Sequence, residues 1–115
     1  MKTKFYTLLF LLFIGFLPAF SQTQAEMNQT ALNDYKAIDQ KLNKVYQELI
    51  KNLPPKEKAL LIKAQKSWIV FRDNDCEFAI SAYEGGSIQP LIKYTCLTEA
   101  TQKRIEALEN YLKEN

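Results

Sequence analysis

Cys76 and Cys96 are the only cysteines in the chain, and Gly86 of a Gly85-Gly86-Ser87 stop lies ten residues from each. If two helices run antiparallel on either side of that turn, both sulfurs stand at the same height. At a rise of ~1.5 Å per residue, each is ~15 Å from the bend. The spacing therefore predicts a helical hairpin closed by a Cys76–Cys96 disulfide. Closing a loop of this size stabilises by roughly 3 kcal/mol in the chain-entropy account. A redox pair is the other use of two cysteines, but such pairs favour Cys-x-x-Cys spacing and an electropositive setting. Asp75 and Glu77 flank Cys76, and negative neighbours disfavour a thiolate. The pair reads as structural.

A disulfide needs an oxidising compartment, and the N-terminus reads as an export signal. Lys2 and Lys4 precede an almost wholly apolar run from Phe5 to Phe20, and Ala19 and Ser21 are the small residues a signal peptidase inspects. Cleavage before Gln22 is expected. The alternative, an uncleaved anchor, falls short of the ~20 apolar residues a spanning helix needs. The expected organisation is a signal peptide over 1–21 and one helical domain over 22–115, periplasmic or secreted, with no membrane segment once cleaved. Without Lys2 and Lys4 the 15 basic residues fall to 13, equal to the 13 acids. A neutral chain lacks the basic face that nucleic acid requires.

Three runs carry helical periodicity, and none alternates as a strand would. In the first, about Glu26–Leu53, Ala31, Tyr35, Ile38, Leu42, Val45, Tyr46, Leu49 and Leu53 recur at steps of three and four. Pro54-Pro55 both stops it and opens the next, since proline is disfavoured inside a helix and welcome in its first turn. The second run, about Pro55–Glu84, carries two apolar stripes, one through Trp68, Phe71 and Phe78 and one through Ile69, Cys76 and Ile80. Two stripes predict a helix packed against both neighbours. Gly85-Gly86 ends it, Ser87 is the expected N-cap of the third run, and that run extends from Ile88 to Leu112. Thr95, Thr98 and Thr101 lower its propensity and set a break near Thr98 as one outcome. The expected fold is all-α, a three-helix antiparallel bundle with one inter-helix disulfide.

The chain has no histidine, which removes the usual general base, the usual zinc ligand and every Ser-His or Cys-His pair. Asp73-Asn74-Asp75 lacks the glycine and terminal glutamate of a calcium loop. No catalytic residue, metal or cofactor is expected. The polar residues that stand out are Asp39, Asn43, Gln65, Arg72, Asp73 and Arg104, with Trp68 one turn from Arg72. Only two arginines occur, and the planar guanidinium suits bidentate pairing. One reading is a structural clamp, with Arg72 or Arg104 bonded to Asp39, Asp73 or a helix end. The other is a partner-binding patch of Tyr46, Trp68 and Arg72.

The residues Met27-Asn28, Tyr35, Asp39, Leu42-Asn43 and Tyr46, the segment Ala64-Gln65-Lys66-Ser67-Trp68-Ile69-Val70-Phe71-Arg72-Asp73 with Cys76, and then Gly85-Gly86-Ser87, Pro90, Cys96-Leu97, Thr101 and Arg104 resemble the lysozyme inhibitor LprI-like family of small exported bacterial helical domains. The resemblance covers nearly all of Gln22–Asn115. It implies a binding protein without catalytic activity, with lysozyme as the partner. The turn residues Glu84, Gly85, Gly86 and Ser87, together with Asp73, are the expected contact surface. The alternative is a structural or adaptor module of the cell envelope with no lysozyme target. Many members carry a further cysteine where this chain has Thr30, paired with one nearer the N-terminus. Without that pair, fraying before about Met27 is expected.

Overall fold

The structure, a computed structural model, describes residues 22–114; the expected signal peptide lies outside them. Three helices follow in order: α1 (Gln24–Lys51), α2 (Pro55–Ile80) and α3 (Gln89–Glu114), with a 3₁₀ turn at Ser81–Tyr83. Tyr35 stacks on Tyr94 and Lys41 reaches Glu109, so α1 and α3 run parallel. Cys76 is bonded to Cys96 and Arg104 to Gln65, so α2 runs antiparallel to them. The three-helix bundle and its inter-helix disulfide are as the sequence predicts.

The helix boundaries have local causes. Pro54 is the N-cap of α2 and Pro55 its first residue. Thr23 caps α1, its hydroxyl accepting from the Glu26 amide at 3.1 Å. That is half of a Thr-x-x-Glu capping box, and it replaces the expected fraying with a helix that starts at Gln24. Asn28 adds a tertiary tether, donating from Nδ2 to the Ser87 carbonyl at 2.9 Å. Thr23→Ala should cost about 1 kcal/mol, read as an earlier denaturant midpoint and as faster amide exchange confined to the first turn of α1.

At the hairpin bend α2 ends at Ile80, earlier than expected. Ser81 donates from its hydroxyl to the Phe78 carbonyl at 2.7 Å, and a 3₁₀ turn follows. Gly85 takes φ +77°, the left-handed conformation that glycine adopts without steric cost. Ser87 is not the N-cap. The Ile88 carbonyl accepts the first bond of α3, from Ile92 at 3.2 Å, and it is the carbonyl of Ser87 that Asn28 engages. No break occurs near Thr98; α3 is continuous.

The apolar core lies between α1 and α3, where Leu42, Val45 and Leu49 meet Ile105 and Leu108. The contact of α2 with α3 is sparser, and with α1 sparser still. The two apolar stripes of α2 do not pack as expected. Its buried residues are Gln65, Arg72 and Cys76; Gln65 and Arg72 lie between the stripes on the helical wheel, and Cys76 belongs to the second. The inward seam of α2 therefore runs down a polar line. Trp68 on one stripe and Ile80 on the other stay half-buried, while Phe71 and Phe78 are 66% and 80% exposed.

Candidate functional site

Two features stand out, the bend of the hairpin and the polar seam below it. At the bend, Tyr83 to Ile88 are exposed without interruption. The backbone there is held by bonds from Glu84 to Ser81, Gly86 to Tyr83 and Gln89 to Gly86. The Asn28 tether holds it from α1, and the disulfide fixes its two legs from below with Cα atoms 5.7 Å apart. Glu84, Gly85, Gly86 and Ser87 thus form one small, exposed and braced surface. Asp73 belongs elsewhere, about 15 Å back along α2 at its rise per residue.

The seam is built around two guanidinium groups. Arg72 is buried; its Nε donates to Asp73 at 2.9 Å and its Nη1 to the Thr101 hydroxyl at 3.3 Å. The same group lies 5.0 Å from the centre of the Trp68 ring and 5.6 Å from that of Tyr35. Arg104 donates from Nε to Gln65 at 2.9 Å and sits 5.8 Å from the Trp68 ring. One indole therefore lies close to two cations, an attraction that grows when the pair is shielded from water. Burial lowers the pKa of Arg104 from its usual value, with Tyr111 opposing. Burial raises that of Tyr35, and the Arg72 charge pulls it back.

Grooves flank the seam. One, of about 390 Å³, is lined by Tyr35, Arg72, Asp73, Glu77, Lys93 and Tyr94. Another, of about 450 Å³, opens between α2 and α3 at Trp68, Phe71, Asp75, Lys103 and Arg104. Asp73 and Glu77 thus face one groove and Asp75 the other, so the acids of α2 do not form a single patch. Among the described residues no cluster suited to a metal ion occurs, and no helix is long and apolar enough to cross a membrane.

The family model described as lysozyme inhibitor LprI matches residues 18–108. The chain belongs to the LprI family. Among its relatives is an uncharacterised protein of Rhizobium meliloti (strain 1021), 34% identical over 103 residues that cover 78% of this chain and 74% of the other. No solved structure matches.

In this LprI-family chain the structure brings Gln65, Trp68, Arg72 and Arg104 together. Asp39 stands apart from them. It is half-buried on α1 and acts on the Tyr35 hydroxyl by its charge, but among the described residues it pairs with neither arginine. Asp73 accepts from Arg72 as expected, and Thr101 and Gln65 supply the other acceptors. Tyr46 and Trp68 both pack against the α1–α3 core. The roles of Thr101 and Asn28 were missed by reasoning from charge and aromatic content. Thr101 had a usable signal, since it and Arg104 recur at one-turn spacing on α3.

Proposed function

We propose that this chain is an exported inhibitor of lysozyme that acts by binding, presenting the Glu84–Ser87 bend to the enzyme's cleft. The observation that carries the reading is the braced, uninterrupted exposure of that bend in a chain of the LprI family. A binding loop held in one conformation loses less entropy on association than a free one. Glycine at 85 and 86 also keeps the tip narrow enough to enter a cleft. Glu84 gives it a negative charge, suited to a basic enzyme surface. Asp73 and Glu77 stand further back on one flank, where they would act through long-range attraction rather than contact.

The test is the clearing of a cell-wall suspension by lysozyme with and without the purified protein. Clearing should slow in proportion to added inhibitor, and Glu84→Lys should weaken the effect at least tenfold while leaving the melting temperature unchanged. If clearing by several lysozyme types is unaffected at large molar excess, the reading is wrong and the envelope-adaptor role takes its place. Inhibition that persists in full with Glu84→Lys and Ser87→Lys together moves the contact surface away from the bend.

A further inference from the structure

Most of the large apolar side chains that the fold leaves exposed lie on α2: Leu60, Ile69, Val70, Phe71 and Phe78. Ile69 borders the inward line, and the other four share one outer face. Leu60, Ser67 and Asn74 recur every seven residues, Ala64, Phe71 and Phe78 do the same beside them, and Lys63, Val70 and Glu77 form an adjacent row. All nine side chains are exposed. A repeat of seven is the spacing that keeps one helix face in register with a partner helix. Apolar patches of this extent on a soluble chain mark interaction surfaces.

The charges identify the occupant. Along the face and its flanks the first half of α2 carries Lys56, Lys63 and Lys66 against Glu57, and the second carries Asp73, Asp75 and Glu77, its one cation being the buried Arg72. A partner of one sign complements only half of this face. A second α2 laid antiparallel complements all of it. We propose that the outer face of α2 pairs with the same face of a second copy, about a two-fold axis near Val70 and Phe71.

The geometry of such a pair is fixed by symmetry. In an antiparallel two-fold pair each flank meets its own counterpart. Lys63 and Glu77 each lie seven residues from Val70, so Lys63 of one copy faces Glu77 of the other, twice. Among the described residues neither has an ion-pair partner in its own chain. Along the apolar row, Phe78 falls opposite Ala64 of the second copy, large against small, and Phe71 meets its own image. Specific interfaces begin near about 1,000 Å² buried in total, and that is the area this pairing has to remove from water. This pairing stands whether or not lysozyme is the target.

Sedimentation equilibrium of the protein, expressed from its full sequence and purified in the form the cell delivers, tests the proposal. Twice the chain mass is expected by high micromolar concentration. Phe78→Ser, Lys63→Glu and Glu77→Lys should each weaken association at least tenfold, with unchanged circular dichroism. Mixing the Lys63→Glu and Glu77→Lys chains should restore the dimer, because each then meets the opposite charge; a merely unfolded variant could not do this. A monomer at all concentrations overturns the proposal, as does a dimer indifferent to Phe78→Ser and to both charge reversals. A monomer whose inhibition of lysozyme is abolished by Phe78→Ser assigns the face to an unlike partner and also overturns it.

Discussion

Replacing Cys76 and Cys96 together by serine is expected to lower the melting temperature by roughly 15 °C. A loop closed over a sequence separation of 20 residues contributes about 3 kcal/mol, and each kcal/mol is worth roughly 4–8 °C in a domain of this size. The loss should be uneven across the fold. α1 and α3 share the apolar core, whereas the buried positions of α2 are a glutamine, an arginine and the cysteine itself. Few apolar contacts hold α2 once the bond is gone. Its amides should exchange at a lower opening energy than those of α1 and α3. Thermal melts of the parent and the double-serine protein read the first effect, and exchange resolved by residue reads the second. A melting temperature within about 3 °C of the parent would mean that the seam alone carries the hairpin.

That division of labour was only partly legible in the sequence. The positions of Leu42, Val45, Leu49, Ile105 and Leu108 follow from periodicity, because burial of an apolar stripe is what a helix of that pattern does. The disulfide follows from two equal intervals about a glycine turn. Periodicity fails on α2 because it assumes that the apolar residues mark the inward face. Here the inward line falls between two apolar stripes, on Gln65 and Arg72. Hydrogen bonds and ring contacts compensate their burial, and a hydropathy pattern does not register those. Phe71 and Phe78 count as core by the same rule, and they stand exposed.

At the helix ends the signals were present but outweighed. Thr23 and Glu26 stand at capping-box spacing, yet the absence of an N-terminal cysteine pair argued for fraying. Serine after a glycine pair suggested an N-cap at Ser87, and the chain instead takes one more residue before α3 begins, leaving the Ser87 carbonyl to Asn28. No local rule predicts that choice, because the partner lies 59 residues away in sequence. The clamp was legible in kind, since arginine among aromatic and amide side chains implies pairing. Of its acceptors Asp73 was legible and Thr101 was not, because Thr101 is an ordinary helix residue until the register of α2 against α3 is known.

Arg72 offers the sharpest test of how that seam works. Arg72→Met keeps the apolar stem and removes the guanidinium, with its bonds to Asp73 and Thr101 and its place near the Tyr35 and Trp68 rings. Thr101 is 0% exposed, and Arg72 is its hydrogen-bond donor across the seam. Stranding a buried hydroxyl costs about 1–3 kcal/mol, and each lost cation–π contact adds about 0.5–1 kcal/mol. Release of a desolvated charge offsets part of this. The expected net loss is about 2–3 kcal/mol, read from the denaturant midpoint at unchanged slope. Arg72→Lys should recover little, because one ammonium does not reproduce a planar fork that reaches Asp73 and Thr101 while lying near two rings. The informative variant is Arg72→Met with Thr101→Val, in which both members of the buried pair become apolar. If the penalty of the single change comes from the stranded hydroxyl, the double change is more stable than Arg72→Met alone by about 1 kcal/mol. A double variant less stable than the single would place the cost in lost packing around Trp68, and the polar line down α2 would then be filling space rather than pairing across it.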